Sequence, residues 1–311
     1  MEKKLQKTKV LVLLSGGLDS MLAAAMLRDQ GIEVTLLCFE SYFFSAGAAR
    51  MAAQALAMPL RTVDISKEQL AVVKHPEHGR GSAINPCIDC HLLMIVTAKR
   101  IMESEGFDFV ATGEVLGERP MSQNSNALKL IEEQSGLKGK LLRPLSAKLL
   151  PETEVEIQGL VDRSRLGGIS GRGRQPQMEW AAKFGITHIP QPGGGCILTD
   201  KDYGKKLAKL FEIKSDTDGQ DAQLLRSGRI FWSNNALIVV ARNEQECKTI
   251  KSLTKKGDWL FFPKNFLGAT VLLRDISGDS ALGVLEALGR EYVLRFSKKS
   301  PTTAEITIEK C

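Results

Sequence analysis

Short apolar runs of β type alternate with helical patterns along the first part of the chain. Val10 to Leu14 reads as a buried strand, followed by a helix from about Asp19 to Asp29. The same alternation continues through strand Val34 to Phe39, helix Ala46 to Ala57, strand Leu60 to Ile65 and helix Lys67 to Lys74. A helix after Cys90 reaching about Glu105 and a strand Phe107 to Thr112 complete the series. Strands spaced by helices of this length pair in parallel through crossovers. The expectation is therefore an α/β fold, a Rossmann-like parallel sheet covered on both faces. Ligands of such sheets sit beyond the carboxyl ends of the strands, which directs attention to the residues after Leu14, Phe39, Ile65 and Thr112.

From Asp162 to Gln177 the composition shifts to Gly, Arg and Ser, as in a loop or hinge. A helix near Gln177 to Phe184 follows, and Pro190, Pro192 and Gly193 to Gly195 predict an irregular turn ending at Cys196. After a helix around Asp202 to Phe211, the polar stretch Lys214 to Gln220 reads as a linker. Short β-type runs come next: Arg229 to Trp232, Leu237 to Val240, Trp259 to Phe262, Thr270 to Arg274 and Tyr292 to Phe296. Helices are expected near Glu244 to Leu253 and Ser280 to Leu288. That α+β pattern predicts a large domain over residues 1–212 and a second, smaller one over 213–311.

Composition narrows the class. With 43% hydrophobic and 25% charged residues in 311, the chain has ample material for a buried core. The 42 Lys and Arg against 36 Asp and Glu leave +6, compatible with a polyanionic partner but too mild to demand one. No apolar run approaches the roughly 18 residues of a membrane-spanning helix. Lys3, Lys4, Lys7 and Lys9 before Val10 imitate a signal peptide, but the apolar run is short and no cleavage pattern follows. A cytoplasmic protein without a membrane partner is expected. Six cysteines make no disulfide scaffold, and Cys87-x-x-Cys90 points to metal or redox chemistry.

The sharpest motif is Ser15-Gly16-Gly17-Leu18-Asp19-Ser20, where a buried strand passes through a Gly-rich turn into a helix. Adjacent glycines let backbone N–H groups approach an oxyanion, and the helix start adds unsatisfied donors and a positive dipole end. Ser15 and Ser20 can donate further hydrogen bonds, and Asp19 can hold a magnesium ion bridging phosphates. The segment lacks the Gly-Lys-Ser/Thr ending of a Walker loop and the Gly-x-Gly-x-x-Gly of dinucleotide binders. It resembles the pyrophosphate loop of the PP-loop ATPases, whose members cleave ATP between the α and β phosphates and place AMP on a substrate oxygen. The resemblance implies ATP and Mg2+ as cofactors, with pyrophosphate contacts from Ser15, Gly16, Gly17, Asp19 and Ser20. It also implies an approach of Phe39 or Glu40 to the adenosine. Thr112-Gly113 resembles the second nucleotide-side motif of the superfamily, with Glu114 where several tRNA-thiolating members carry His.

Three cysteines are placed for chemistry. Cys87 and Cys90 open a helix, whose positive end favours the thiolate that binds metal or attacks, and Cys196 follows a turn that exposes it. Cys38 lies inside an apolar strand as a core residue, and Cys247 and Cys311 lack partner motifs. The residues alone leave open a zinc site completed by His91 or a carboxylate, a dithiol handling persulfide, a three-thiolate 4Fe-4S cluster, or purely structural thiols. PP-loop proteins with Cys-x-x-Cys in this helix and a Gly-Gly-Cys turn downstream look like tRNA thiouridine synthetases. Cys at 87, where the cluster-free branch has Asp, makes the chain more similar to the iron-sulfur branch. That likeness implies that Cys87, Cys90 and Cys196 ligate a 4Fe-4S cluster whose free iron carries hydrosulfide, and that Asp19 joins them in the catalytic set.

A tRNA and a sulfur donor, either sulfide or a persulfide carrier, are the partners so implied. Arg163, Arg165, Arg172 and Arg174 form a Gly-interleaved basic segment suited to RNA phosphates or to ordinary solvation. Arg119, Arg143 and Lys148 suit the electrophile side or a salt-bridged surface equally. In the second domain, Ala241-Arg242-Asn243, Gly257-Asp258-Trp259 and Gly268 resemble the RNA-binding domain of NFACT proteins, which makes Arg242, Asn243 and Trp259 candidate RNA contacts. Two alternatives remain open: a PP-loop enzyme forming AMP on a small molecule or another RNA base, and a non-catalytic RNA-binding or assembly factor with a regulatory ATP loop.

Overall fold

Val10, Leu11 and Val12 are fully buried on both faces of strand β1 (Lys9–Leu13), as a continuous apolar run at the centre of a parallel sheet must be. The structure, a computed structural model, describes residues 7–189, 196–233, 236–276, 278, 280–297 and 302–311. The turn expected over Pro190 to Gly195 and the basic Lys3 and Lys4 lie outside the described residues. Contacts divide the chain into two units, Met1–Ile197 and Leu198–Cys311.

In the first unit β1 is followed by α1 (Leu18–Asp29), β2 (Glu33–Glu40), α2 (Gly47–Leu56), β3 (Leu60–Asp64), α3 (Ser66–Lys74) and α4 (Cys87–Glu105). Then come β4 (Phe109–Ala111), α5 (Ser125–Ser135), β5 (Leu141–Leu142), α6 (Glu154–Ile157) and α7 (Gln175–Lys183). The strands form one parallel sheet in the order β3-β2-β1-β4-β5. One face packs Val10, Val12 and Leu36 on Ala23, Ala24, Ala49 and Ala52 of α1 and α2. The other packs Leu11, Leu37 and Val110 on Ile95, Ala98 and Met102 of α4. Because β1 lies between β2 and β4, the loops leaving β1 and β4 start from neighbouring strands and diverge, which makes the crevice of a doubly wound sheet.

The second unit holds α8 (Lys201–Ile213), α9 (Gly219–Leu224), β6 (Arg229–Ser233), β7 (Ala236–Val240), α10 (Glu244–Ser252), β8 (Trp259–Pro263), β9 (Val271–Asp275), α11 (Leu282–Arg295) and β10 (Ile306–Lys310). Its antiparallel sheet runs β10-β8-β9-β7-β6. The contact division falls ahead of the boundary expected at residue 212: α8 belongs with this unit, where the Tyr203 hydroxyl donates to the Ala222 carbonyl at 3.0 Å. Lys214 to Gln220, read as a linker, instead enters α9, which Asp218 caps. Asp221 behind that cap is fully buried and takes Arg274 (2.5 Å), Lys255 (2.8 Å) and Lys214 (3.3 Å).

Tyr292 to Phe296, expected as a strand, lies mostly in α11. Leu285, Gly289, Tyr292 and Val293 recur at helical spacing and turn inward, and a side chain on Gly289 would run into the Phe261 ring at 2.3 Å. Over Tyr292 to Phe296 alone, five residues, the apolar spacing fits a helix and a strand equally.

Candidate active site

The turn after β1 is built by glycine. Gly16 has φ +87°, and a Cβ there would lie 2.5 Å from the Ala48 backbone. Only a residue without a side chain lets the turn bend this way so close to α2. Gly17 caps α1 with no side-chain hydrogen bond, so the first-turn N–H groups point out of the helix end as an anion would require. Within the loop the Ser20 hydroxyl donates to the Gly17 carbonyl at 2.8 Å and accepts from the Ser15 amide at 3.3 Å. The Ser15 hydroxyl accepts from the Gly17 amide at 3.3 Å.

Gly113, just beyond β4, presses on that loop. Its missing side chain would stand 2.5 Å from Ser20 N and 2.7 Å from Asp19 C, so the second expected motif serves first as the surface on which the first one rests. Phe39 is 5% exposed and belongs to the core against α4, so its ring is packed there rather than presented to a ligand. Glu40 at the strand end pairs with Arg50 at 3.3 Å.

Asp19 is surrounded. Burial pushes its carboxyl above the usual range, partly offset by a hydrogen bond from Gln177 and by the charges of Arg174 and Arg119. Glu118 is pushed up as well, by burial and by the Asp19 charge, against Arg119 and Arg174. Gln177 and its role beside Asp19 were not visible in the sequence, since α7 follows the loop motif by more than a hundred residues and carries no signature of its own.

The cysteines lie at the amino-terminal end of α4 and on the segment that returns to the loop after β2. There the Ile197 amide reaches the Phe43 carbonyl at 3.5 Å. Cys90 is 8% exposed, and burial pushes its thiol up to about 12; the neighbouring Cys196, Cys87 and Asp89 push the same way and a Gln69 hydrogen bond opposes them. The helix start therefore does not make Cys90 a thiolate by itself, contrary to the expectation from its position: desolvation outweighs the dipole. That Cys196 and Cys87 both act on Cys90 places the three thiols in one neighbourhood. Asn85 Nδ2 donates to Cys87 Sγ at 3.0 Å, and Gln69 Nε2 to Cys90 Sγ at 3.4 Å. Cys38 is buried in β2, donates to the Phe39 carbonyl and is pushed up to about 11 by burial, as fits a core residue.

The donor set of sulfurs with N–H partners fits a soft metal group. Among the described residues no three His, Cys, Asp or Glu side chains converge as ligands of one metal ion.

A buried ionic chain joins the two parts. Glu114, 5% exposed, pairs with His91 Nδ1 at 2.8 Å and Arg143 Nε at 3.0 Å and accepts from the Thr112 hydroxyl at 3.0 Å. Burial alone would raise its pKa; Arg143 and His91 reverse this and hold it at about 2. His91 follows Cys90, and Glu114 follows Gly113, so this pair pins the cysteine helix to the strand end that carries the phosphate loop. Arg143 is therefore structural here, also holding Glu132 at 3.1 Å.

The basic residues separate. Arg163 pairs with Glu156 at 2.7 Å and Arg165 with Asp29 at 2.7 Å. Arg172 is exposed, and Arg174 reaches Asp19 electrostatically. Lys148 donates to the Ser164 carbonyl at 2.8 Å. In the second unit Arg242 pairs with Glu246, Asn243 caps α10 by accepting from the Glu246 amide at 2.9 Å, and Trp259 packs on the α11 core.

Residues 6–148 match the family described as Thiamine biosynthesis protein (ThiI). The tRNA-specific 2-thiouridylase MnmA of Caldicellulosiruptor saccharolyticus is 26% identical over 238 residues, 68% of this chain and 61% of that protein. The MnmA of Wolbachia pipientis is 24% identical over 324 residues, 90% of this chain and 84% of that protein. A 4-thiouridine synthetase solved with RNA and ATP is 20% identical over 58% of this chain and 52% of that one, with a TM-score of 0.37. The chain thus spans less than two thirds of the first of these relatives. Among the described residues no helix is long and apolar enough to cross a membrane. The strand, glycine turn and helix that open this chain lie in the segment that is similar to the ThiI family and to the MnmA proteins.

Proposed function

We propose that the protein is a cytoplasmic ATP-dependent tRNA sulfurtransferase. The observation that carries this reading is the link Cys90, His91, Glu114, Gly113, Ser20, which ties the start of the Cys87-x-x-Cys90 helix to a phosphate loop within one domain. Exchanging a uridine carbonyl oxygen for sulfur requires both. The oxygen is a poor leaving group; it attacks the α phosphorus of ATP, pyrophosphate leaves, and AMP is now attached through that oxygen. Hydrosulfide then adds to the ring carbon, the C–O bond breaks, AMP departs with the oxygen, and the proton from sulfur passes to solvent.

In this scheme Ser15, Gly16, Gly17 and Ser20 bind the pyrophosphate, Asp19 orients Mg2+, and Gly113 holds the loop's back. Magnesium would supply charge neutralisation on the phosphates. Cys87, Cys90 and Cys196 would hold a 4Fe-4S cluster, which supplies a position for the incoming sulfur when bound. The tRNA backbone would be met by Arg172 and, after exchange of carboxylate partners for phosphate, by Arg163, Arg165 and Arg242. The second unit, with 213–311 at its heart, acts as an RNA-binding domain of NFACT likeness.

The test is an anoxic reaction of the iron- and sulfide-reconstituted protein with ATP, sulfide and a tRNA transcript. AMP release with a thiolated nucleoside supports the assignment. AMP release on a small molecule alone, or no AMP under any condition, would sink it. Absorbance at about 400 nm that fails to develop on reconstitution removes the cluster and leaves a dithiol route.

A further inference from the structure

Asn85, two residues ahead of Cys87 and 8% exposed, has every polar group except its side-chain N–H already committed to the loop around it. Its backbone carbonyl accepts from the Gly81 amide at 2.9 Å, and its Oδ1 accepts from the Ala83 amide at 3.3 Å. Gly81 lies against the side chain: a Cβ there would stand 2.4 Å from Nδ2 and 2.9 Å from Oδ1. A backbone N–H can meet only the oxygen of that amide, so the nitrogen is the end that faces Cys87. Nδ2 donates to Cys87 Sγ at 3.0 Å and reaches Met121 Sδ at 4.0 Å. The Gln69 amide beside Cys90 is not fixed in this way. Its Nε2 meets Sγ at 3.4 Å, but its Oε1 has no hydrogen-bond partner among the described residues, so nothing sets which end faces the sulfur. A neutral thiol sulfur is a weak acceptor, whereas a thiolate draws a short, charge-assisted bond. A buried donor locked at 3.0 Å therefore suits a sulfur that carries negative charge, as it does when it binds a metal.

We propose that Asn85 is a positioning residue for Cys87: its N–H holds the sulfur at the start of α4 and shares the charge of the thiolate that a soft metal group binds. Hydrogen-bond partners of this kind orient a ligand and tune the metal it holds. The proposal rests on the reading of Cys87 as a metal-binding thiol under the proposed function. It gives a task to the turn over residues 81–85, which that reading leaves without one.

The test uses the full chain, reduced and metal-free under anoxic conditions, titrated with Co2+. The sulfur-to-cobalt charge-transfer band reports thiolate ligation, and its energy reports the charge on the sulfur. Circular dichroism establishes that each variant is folded. Asn85→Leu removes the donor and keeps the branching of the side chain; Gly81→Ala leaves Asn85 in the chain and pushes its amide off the sulfur. Both are expected to lower Co2+ affinity about tenfold or more. Both should also move the band to longer wavelength, because a sulfur that has lost a hydrogen bond gives up its electrons more readily. A band that keeps its position overturns the proposal, whether affinity holds or falls, since a turn that merely loosened would weaken binding without changing the bond to sulfur. If Asn85→Leu does not fold, Gly81→Ala decides alone. A wild-type chain without the band, or one whose band survives Cys87→Ser unchanged, overturns the reading of Cys87 as a metal-binding thiol. That result is distinct from a Cys87-dependent band that the Asn85 and Gly81 variants leave in place.

Discussion

Replacing Gly113 by alanine isolates the contact on which the phosphate loop rests. The added methyl would sit 2.5 Å from Ser20 N, 2.6 Å from Ser20 Cα and 2.7 Å from Asp19 C, all backbone atoms with no flexible side chain to swing away. Ordinary contact begins near 3.4 Å. Relief therefore requires the start of α1 to move by roughly 1 Å, a misplacement that costs about a hundredfold in a positioned reaction. Overpacking of this kind also costs about 1–3 kcal/mol of stability, which a domain of this size can absorb while remaining folded. Isothermal titration with ATP and a thermal melt separate the two effects. The expected result is a folded protein whose ATP affinity falls at least tenfold, about 1.4 kcal/mol. A variant with wild-type ATP affinity would refute the claim that Gly113 supports the loop.

Further outcomes follow from the ion pairs and thiols. Glu114 is ionised in the fold well below its ordinary range, so it contributes stability above pH about 4.5 that is lost as pH falls toward about 2; Glu114→Gln should flatten acid melts across that window, and parallel melts would contradict the pairing. Arg274→Met leaves Asp221 and Asp258 buried with less compensation and should cost about 3 kcal/mol, read as faster hydrogen exchange confined to the second unit; unchanged exchange would show that Lys255 and Lys214 suffice. Serine at Cys87, Cys90 or Cys196 should each lower iron bound after reconstitution, whereas Cys38→Ala should not; equal iron in all four variants would disconnect the three thiols from the metal.

Much of this architecture is legible in the sequence because parallel strands announce themselves as short apolar runs and the Ser-Gly-Gly turn follows the first of them. What the sequence hides are the choices that only packing makes. Tyr292 to Phe296 carries a β-type composition, yet its register with Leu285 and Gly289 puts it on a helix. Cys90 sits where a helix dipole should ionise it, and burial, which composition does not reveal, decides the opposite. The four arginines from Arg163 to Arg174 look like one basic patch, but Glu156 and Asp29 claim two of them and Asp19 draws a third. Lys214 to Gln220 reads as a solvated linker because the buried partner of Asp221 is Arg274, on a strand far along the chain. Gln177 beside Asp19 illustrates the same limit, since a pair so distant in sequence has no local signature.

The most direct test of the central claim is nucleoside mass spectrometry of tRNA from a strain lacking this gene, complemented with the wild-type chain or with Cys196→Ser. One thiolated uridine is expected to disappear, to return with the wild type and to stay absent with the variant. A full set of thiolated nucleosides in the deletion strain would contradict it.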